Sequence, residues 1–308
     1  MMKGRKGKGA IYVWAAGNGG RLQDNCNLDG YASSPYTVTI GAVTADGLST
    51  YYSEPCAAVI ASAYVGGSHL PPTQENIVRE RRKIKVVVPE GRGRCRETFQ
   101  GTSAAAPMAA GVIALLLQAN PDLSWRDVQH IIVKSSRVPP TGESGWTVNG
   151  AGHRFHLKIG FGILDSAKMV AEALAWQPVE PLHEWNSPPV TRTNYILPLR
   201  DTIIPLLAEN CSMRVNRLET VTATVNIVHP RCGDLELFLQ SPSGTISQML
   251  TRRPRDNRTS RIPYWEFLSL HFWDENPAGL WILRVSNRAG WHQGVMDYFS
   301  LRLRGTIR

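Results

Sequence analysis

The sequence has little charge. Asp, Glu, Lys and Arg make up 19% of 308 residues against 43% hydrophobic ones, which argues against a disordered chain and for a folded one with a substantial core. It has no long hydrophobic run: residues 108–117 form the longest, short of the roughly 20 apolar residues that a membrane-spanning helix requires, so they read as a buried helix. Behind the basic start Met1-Met2-Lys3-Gly4-Arg5-Lys6 there is no apolar stretch of the roughly 7–15 residues that a signal peptide carries, the run 10–15 falling short of it, and this start is not expected to act as a signal peptide. Internal repeats and low-complexity tracts are missing. The formal charge is +9, but neither basic cluster, 1–9 or 79–85, is interleaved with stacking aromatics or set in a helix-turn-helix or finger pattern, which argues against a nucleic-acid partner. Cysteine is scarce and odd in number. Cys26, Cys56, Cys95, Cys211 and Cys232 fit no CxxC metal pattern, and at least one thiol lacks a disulfide partner within the chain.

What is present suggests two parts, since single cores stop growing at about 100–200 residues. Residues 10–15 and 37–43 are β-rich apolar runs separated by a polar loop. Residues 54–97 form a long irregular region with a short β-rich run at 84–88, a size that usually marks function or an insertion. Residues 104–118 are small and apolar throughout, as in a helix buried on most of its circumference. Ser124 offers an N-cap for a helix over 125–135, and 165–176 has the periodicity of another. From about Gln177 the texture changes. Pro178, Pro181, Pro188 and Pro189 mark 177–192 as a linker. Beyond it, short alternating segments at 221–228, 235–240, 281–285 and 299–303 predict an antiparallel sandwich or jelly roll.

The strongest chemical signal is Gly101-Thr102-Ser103-Ala104-Ala105-Ala106-Pro107-Met108-Ala109-Ala110-Gly111. A serine before a helix is most often its N-cap. Here the small residues let the helix start approach a substrate backbone, and the free N–H groups at such a terminus favour developing negative charge, so Ser103 is a candidate nucleophile. In Ala16-Gly17-Asn18-Gly19-Gly20 an amide stands on a glycine turn at the end of a buried strand. Alone this is an ordinary Asn-Gly turn; with Ser103 it becomes a candidate oxyanion-hole donor.

These two motifs, with Val13-Trp14-Ala15, Asp29-Gly30-Tyr31, Tyr52-Ser53-Glu54, Trp125-Arg126-Asp127-Val128-Gln129-His130 and Gly160-Phe161-Gly162-Ile163-Leu164-Asp165, resemble the kexin/furin-like proprotein convertases, subtilisin-type serine proteases. Gly233-Asp234-Leu235, Ser241-Pro242-Ser243-Gly244-Thr245 and the run from Trp273 to Trp281 resemble that family's P domain. The resemblance implies the C-terminal part of an α/β subtilisin-like catalytic domain with a mostly parallel sheet over 1–176, a linker over 177–192 and an all-β P domain over 193–308. It implies a calcium-dependent endoprotease of the secretory pathway that cleaves precursor proteins after paired basic residues. Ser103 matches the nucleophile and Asn18 the oxyanion-hole amide. Asp29 matches a carboxylate lining the pocket for the P1 basic side chain, and Asp24 and Glu54 match calcium ligands, the hard oxygen donors that ion prefers. Cys26 and Cys56 match a family disulfide, and Cys95 a cysteine whose partner lies upstream. Cys211 is half of a P-domain pair, and a Cys211–Cys232 bridge is weakly supported. Phe99 replaces a common His. Asn210 and Asn257 fit the glycosylation sequon, and Arg79-Glu80-Arg81-Arg82 is itself a dibasic site in a long loop, more readily read as a solvated basic insertion.

One departure matters. Subtilisin-type triads run Asp, His, Ser along the chain, and no Asp–His pair precedes Asn18 in the required order. His69, the sole histidine before Ser103, follows Asn18 in a Gly/Pro loop and reads as a surface residue. The expectation is a C-terminal piece of a longer protease, with an upstream propeptide and the first half of the catalytic domain belonging to the full-length protein, inactive by itself. The alternative is a non-catalytic truncated pseudoprotease, or binding module, that interferes with an intact convertase.

Overall fold

The computed structural model describes residues 4–70, 84–97, 99–140, 142–257 and 260–307. The Arg79–Arg82 site lies outside them. The first part is a three-stranded parallel sheet in the order β1 (Tyr12–Ala15), β2 (Thr37–Val43), β3 (Val59–Tyr64). β2 is buried along its whole length, as expected of a central parallel strand covered on both faces. The expected strand over 10–15 begins two residues later, and the run at 84–88 contributes only the start of a small exposed hairpin, β4 (Val88–Gly91) with β5 (Arg94–Arg96).

The helix α1 (Thr102–Ala119) packs on β1, β2 and β3. The small apolar sequence predicts burial nearly all round; instead Ala105, Ala109, Ile113 and Leu116 are buried on one face while Met108 and Leu115 are 43% and 54% exposed on the other. The reason is geometric. Three strands cover one side only, and β1, with a partner on one edge, leaves Tyr12 and Trp14 about as open, at 40% and 39%. By length and composition α1 is apolar enough to cross a membrane, with a mean hydropathy of 1.5 over 18 residues, but its buried face belongs to the core of this layer. The helix α2 (Trp125–Ser135) starts with a reciprocal cap: Ser124 Oγ accepts from Asp127 N–H and Asp127 from Ser124 N–H, which satisfies two otherwise orphaned donors. A minor hairpin, β6 (Thr147–Val148) with β7 (Arg154–Phe155), precedes α3 (Ser166–Leu174), whose N-cap is Asp165.

The stretch read as a linker is not wholly irregular. Within it β8 (His183–Asn186) pairs with the last strand, so the chain enters the second part before residue 193. That part has two antiparallel sheets. One runs β10 (Asp201–Ala208), β15 (Gly279–Asn287), β12 (Leu235–Gln240), β13 (Ile246–Leu250); the other runs β14 (Ser260–Ser269), β11 (Arg217–His229), β16 (Gly294–Thr306), β8, with β9 (Asn194–Ile196) also on β16. Their inward residues share one core that includes Phe267, Trp281 and Phe299, each buried. β12 shows the cause, since Leu235, Leu237 and Leu239 point inward and alternate with half-exposed neighbours, the two-residue period of a strand with one wet face. Pro205 stands in β10, an edge strand where its missing N–H costs no ladder bond.

The two parts interpenetrate. Leu268, Leu270 and Trp273 join the core of the first part, while Ala57 enters that of the second. Across the boundary, buried Glu219 accepts from Arg126 Nε at 2.9 Å, from Arg126 Nη2, and lies 2.9 Å from His130 Nε2. Asp274 likewise binds His153 and Arg217.

Candidate functional site

After β1 the chain turns through Gly17, whose φ of 108° is open to glycine, and a Cβ there would collide with the Glu54 carboxylate. This turn meets the start of α1. Thr102 N–H donates to Asn18 Oδ1 at 2.9 Å and Thr102 Oγ1–H donates to the same oxygen at 3.0 Å, across 84 residues of sequence. Gly17 N–H in turn donates to Thr102 Oγ1. Both bonds to Asn18 fall on its oxygen. The orientation of the amide is therefore set, and Nδ2 is left with its donors unspent among the described residues.

Ser103 occupies the second position of α1. The N-cap is Gly101, with φ 131° and no side-chain cap, so the ordinary reading of Ser103 as a helix cap does not hold. Its side chain is exposed, and its backbone N–H is one of the first-turn donors that an α-helix leaves unbonded. Among the described residues Ser103 has no hydrogen-bonded imidazole. His69 instead places Nδ1 at 2.7 Å from the Ser49 carbonyl. Thr102, which orients Asn18, escaped the sequence reading although it stands within the quoted motif.

On the other flank of the glycine turn lie the candidate acidic residues. Glu54 accepts from Gly19 N–H at 2.8 Å, and Gly19 is so close to both Glu54 and Asp24 that a Cβ would stand 2.8 Å from each. Burial pushes the Glu54 carboxyl up to about 7, the Gly19 hydrogen bond opposes this, and the charges of Asp24 and Asp29 add to it. Asp24 accepts from Asn25 N–H; Asp29 accepts from Tyr31 and Ala32 N–H at 2.8 and 2.9 Å, turns that shape the loop. Three carboxyls thus lie within electrostatic reach of one another. Asp24 and Glu54 offer hard oxygens of the kind calcium takes, although among the described residues no group of three or more His, Cys, Asp or Glu is arranged to hold a metal. A cavity of about 570 Å³ opens beside Asp24 and is lined also by Arg253, Arg255 and Asn257.

The loop between Asp24 and Asp29 is held from two sides. Cys26 and Cys56 form the disulfide that the resemblance implies, both fully buried. Replacing Cys56 with serine is expected to cost about 3–4 kcal/mol of stability, the chain-entropy value for a closed loop of this size, measured by urea unfolding; a change below 1 kcal/mol would show that packing alone holds the loop. From the other side, buried Asn27 donates to the Met249 and Leu268 carbonyls, each at 2.9 Å, and accepts from Leu268 N–H, while Trp265 Nε1 donates to the Asn27 carbonyl. The sandwich therefore sets the position of the acidic loop. No local pattern in the sequence marks Asn27 for this.

Cys211 and Cys232 are both buried and neither forms a disulfide; Cys95 is exposed on β5. Asn210 and Asn257 are exposed, as glycan acceptors must be, but Thr259 of the second sequon lies outside the described residues.

Known proteins bear on the arrangement. Residues 1–162 match the subtilase family and residues 218–303 the proprotein convertase P-domain. Proprotein convertase subtilisin/kexin type 6 of Homo sapiens is 41% identical over 315 residues, covering 99% of this chain and 31% of that protein. Furin-like protease 1 of Drosophila melanogaster is 40% identical over 310 residues, covering 99% and 23%. The chain spans less than a third of the length of either relative. Among solved structures, a serine protease of Aeromonas sobria superposes with a TM-score of 0.78 at 22% identity, covering 98% of this chain and 66% of that one, a likeness of fold. The chain belongs to the subtilase family and joins its subtilase portion to a proprotein convertase P-domain.

Proposed function

We propose that this chain forms the nucleophile-bearing part of a calcium-dependent serine endopeptidase that cleaves precursor proteins after paired basic residues in the secretory pathway. The observation that carries the reading is the double hydrogen bond from Thr102 to Asn18 Oδ1 beside Ser103. It aims one amide donor outward, next to a helix N–H and an exposed hydroxyl. Attack by Ser103 Oγ on a scissile carbonyl would place the developing oxyanion where Asn18 Nδ2–H and the Ser103 backbone N–H both donate. Asp29 would meet the P1 basic side chain by charge. Asn210 and Asn257 would carry glycans in that compartment.

The hydroxyl proton of Ser103 has no acceptor among the described residues. A serine without its base loses about 10⁶ in kcat, so the 308-residue chain by itself is expected to leave an Arg-X-Arg-Arg fluorogenic peptide uncut. Cleavage abolished by Ser103→Ala would overturn that expectation. The same observation favours a second reading, a pseudoprotease that interferes with an intact convertase. Titration of the chain into an assay of an intact relative separates the two, because an interfering module lowers that activity and an inert piece leaves it unchanged.

Calcium would be held by Asp24 and Glu54, where it would neutralise the gathered charge and stiffen the loop that carries Asp29. Because burial raises the Glu54 carboxyl to about 7, its contribution without the ion is fully present below the ordinary carboxylate range and is lost as pH rises through about 7. In chelator, Tm is therefore expected to fall as pH rises through that window, and calcium to reverse the fall. Glu54→Gln flattens the profile and removes the calcium response. An unchanged slope in Glu54→Gln would remove Glu54 from the site.

A further inference from the structure

The outer face of one sheet of the sandwich departs from what an open face ordinarily carries. An antiparallel sheet with one face on the core turns apolar residues inward and polar ones toward water. The sheet that contains β16 obeys this: its outward positions include Ser300, Arg302 and Arg304, and the arginines bind Glu266 and Glu184. The sheet that begins with β10 does not. There buried Ile204, Leu206 and Ala208 alternate with outward Ile203, Pro205 and Leu207, so most of the strand is apolar on both sides. Ile203 is 51% exposed and Leu207 53%.

Strand pairing joins these positions into one surface. Leu207 lies opposite Leu280, and Pro205 opposite Ile282, on β15. Ile282 lies opposite Gln240 on β12, and Gln240 opposite Ile246 on the far edge strand β13. In the next row Ile203 lies opposite Arg284 and Arg284 opposite Phe238, with the guanidinium 4.2 Å from the centre of the Phe238 ring. Leu280 is 48% exposed and Ile246 49%. Outward apolar side chains thus extend from one edge of the sheet to the other, with Gln240 as an uncharged break. Scattered single residues of this kind need no explanation, whereas a patch of them marks a contact surface.

The charges and the size of the face indicate what covers it. Its charged groups gather at one end and are already paired, Asp201 with Arg284 and Arg288, and Glu236 with Arg288. Two acids and two arginines leave the face neutral, so it has no field to draw a strongly charged partner, and covering it strands no lone charge. A second copy fits these features. About a twofold axis parallel to the strands, the end with Leu207 and Leu280 meets its own counterpart, and the charged end meets an equal set of acids and arginines. Strands of five to eight residues at about 3.4 Å per residue, four of them about 4.8 Å apart, present roughly 400 Å² in plan and more over the corrugated surface. That places the pair among weak, concentration-dependent associations, below about 1,200 Å² in total.

We infer that the outer face of the sheet β10–β15–β12–β13 pairs with the same face of a second copy of this chain, independently of the proposed catalytic role. The test is sedimentation velocity of the full chain over a range of concentrations. The parent is expected to pass from monomer to dimer as concentration rises. A Leu207→Asp, Leu280→Asp variant is expected to dimerise about a hundredfold more weakly, because like charges would meet across the axis, and a Leu207→Lys, Leu280→Lys variant likewise. An equimolar mixture of the two is expected to recover the dimer, since opposite charges then meet. These side chains are about half exposed, so the variants should keep the parent's melting curve, which is recorded alongside. A Trp14→Ser, Leu115→Ser variant, altered at the open sides of β1 and α1, should dimerise as the parent does. A parent that stays monomeric throughout would overturn the proposal, as would a mixture of the charged variants that stays monomeric. Loss of the dimer in the Trp14/Leu115 variant, with the charged variants still dimeric, would overturn it in favour of a contact through the first part.

Discussion

Replacing Ser103 with alanine is expected to lower kcat by about 10⁶ in a chimaera in which this chain follows the upstream half of an intact relative that supplies the aspartate and histidine. The reason is that of the two hydroxyls at the start of α1 that of Thr102 is buried and bonded to Asn18, which leaves the exposed hydroxyl of Ser103 to form the acyl bond, while the oxyanion donors survive the change. In the same chimaera, Asn18→Ala is expected to cost about 10²–10³ in kcat with KM little altered, since that donor acts on charge that appears only in the transition state. Thr102→Val makes the distinction sharper. It removes one of the two bonds that orient Asn18 and should lower kcat in the same direction by less. The measurement is turnover of an Arg-X-Arg-Arg peptide over a range of substrate concentrations. A Ser103→Ala chimaera as fast as its parent would remove Ser103 from the mechanism, and an Asn18→Ala effect confined to KM would make Asn18 a substrate contact instead of an oxyanion donor.

Glu219→Ala is expected to destabilise the chain by about 3–5 kcal/mol, because it strands a buried guanidinium without its counter-charge. Arg126 is 7% exposed and Glu219 4%, so water cannot replace the lost partner. The pH dependence has a definite sign. Burial alone would raise the Glu219 carboxyl, but the hydrogen bonds and charges of His130 and Arg126 outweigh it and hold the carboxyl below its ordinary range. Its stabilisation is therefore present above the usual glutamate pKa and is lost as pH falls below it. Urea unfolding of parent and variant across the acid range is the check. The two curves should converge at low pH, and a cost under 1 kcal/mol near neutrality would show that the apolar contacts of Leu268, Leu270 and Trp273 hold the parts together without the ion pair.

Much of this protein was legible locally. The helix over 125–135 and the strand over 37–43 lie where the capping serine and the β-rich run put them, because a cap and a hydrophobic pattern act over a few residues. The motifs around Asn18 and Ser103 were likewise readable as strand end and helix start. The disulfide between Cys26 and Cys56 follows from the family resemblance and is present in the structure.

What the tertiary structure alone decided involves partners remote in sequence. The exposure of Met108 and Leu115 follows from how few strands lie beside α1, and no property of the helix sequence encodes the number of its neighbours. Asn27 looks like any loop asparagine until β13 and β14, 222 and 241 residues further along, present carbonyls to it. Glu219 is a charged strand residue that is buried because Arg126 and His130 close over it, and the carboxyl of Glu54 is raised because the fold buries it beside Asp24 and Asp29, against the opposing bond from Gly19. A sequence determines local backbone preference and which face of an element is apolar; burial and the charge around a side chain depend on what the rest of the chain brings to it.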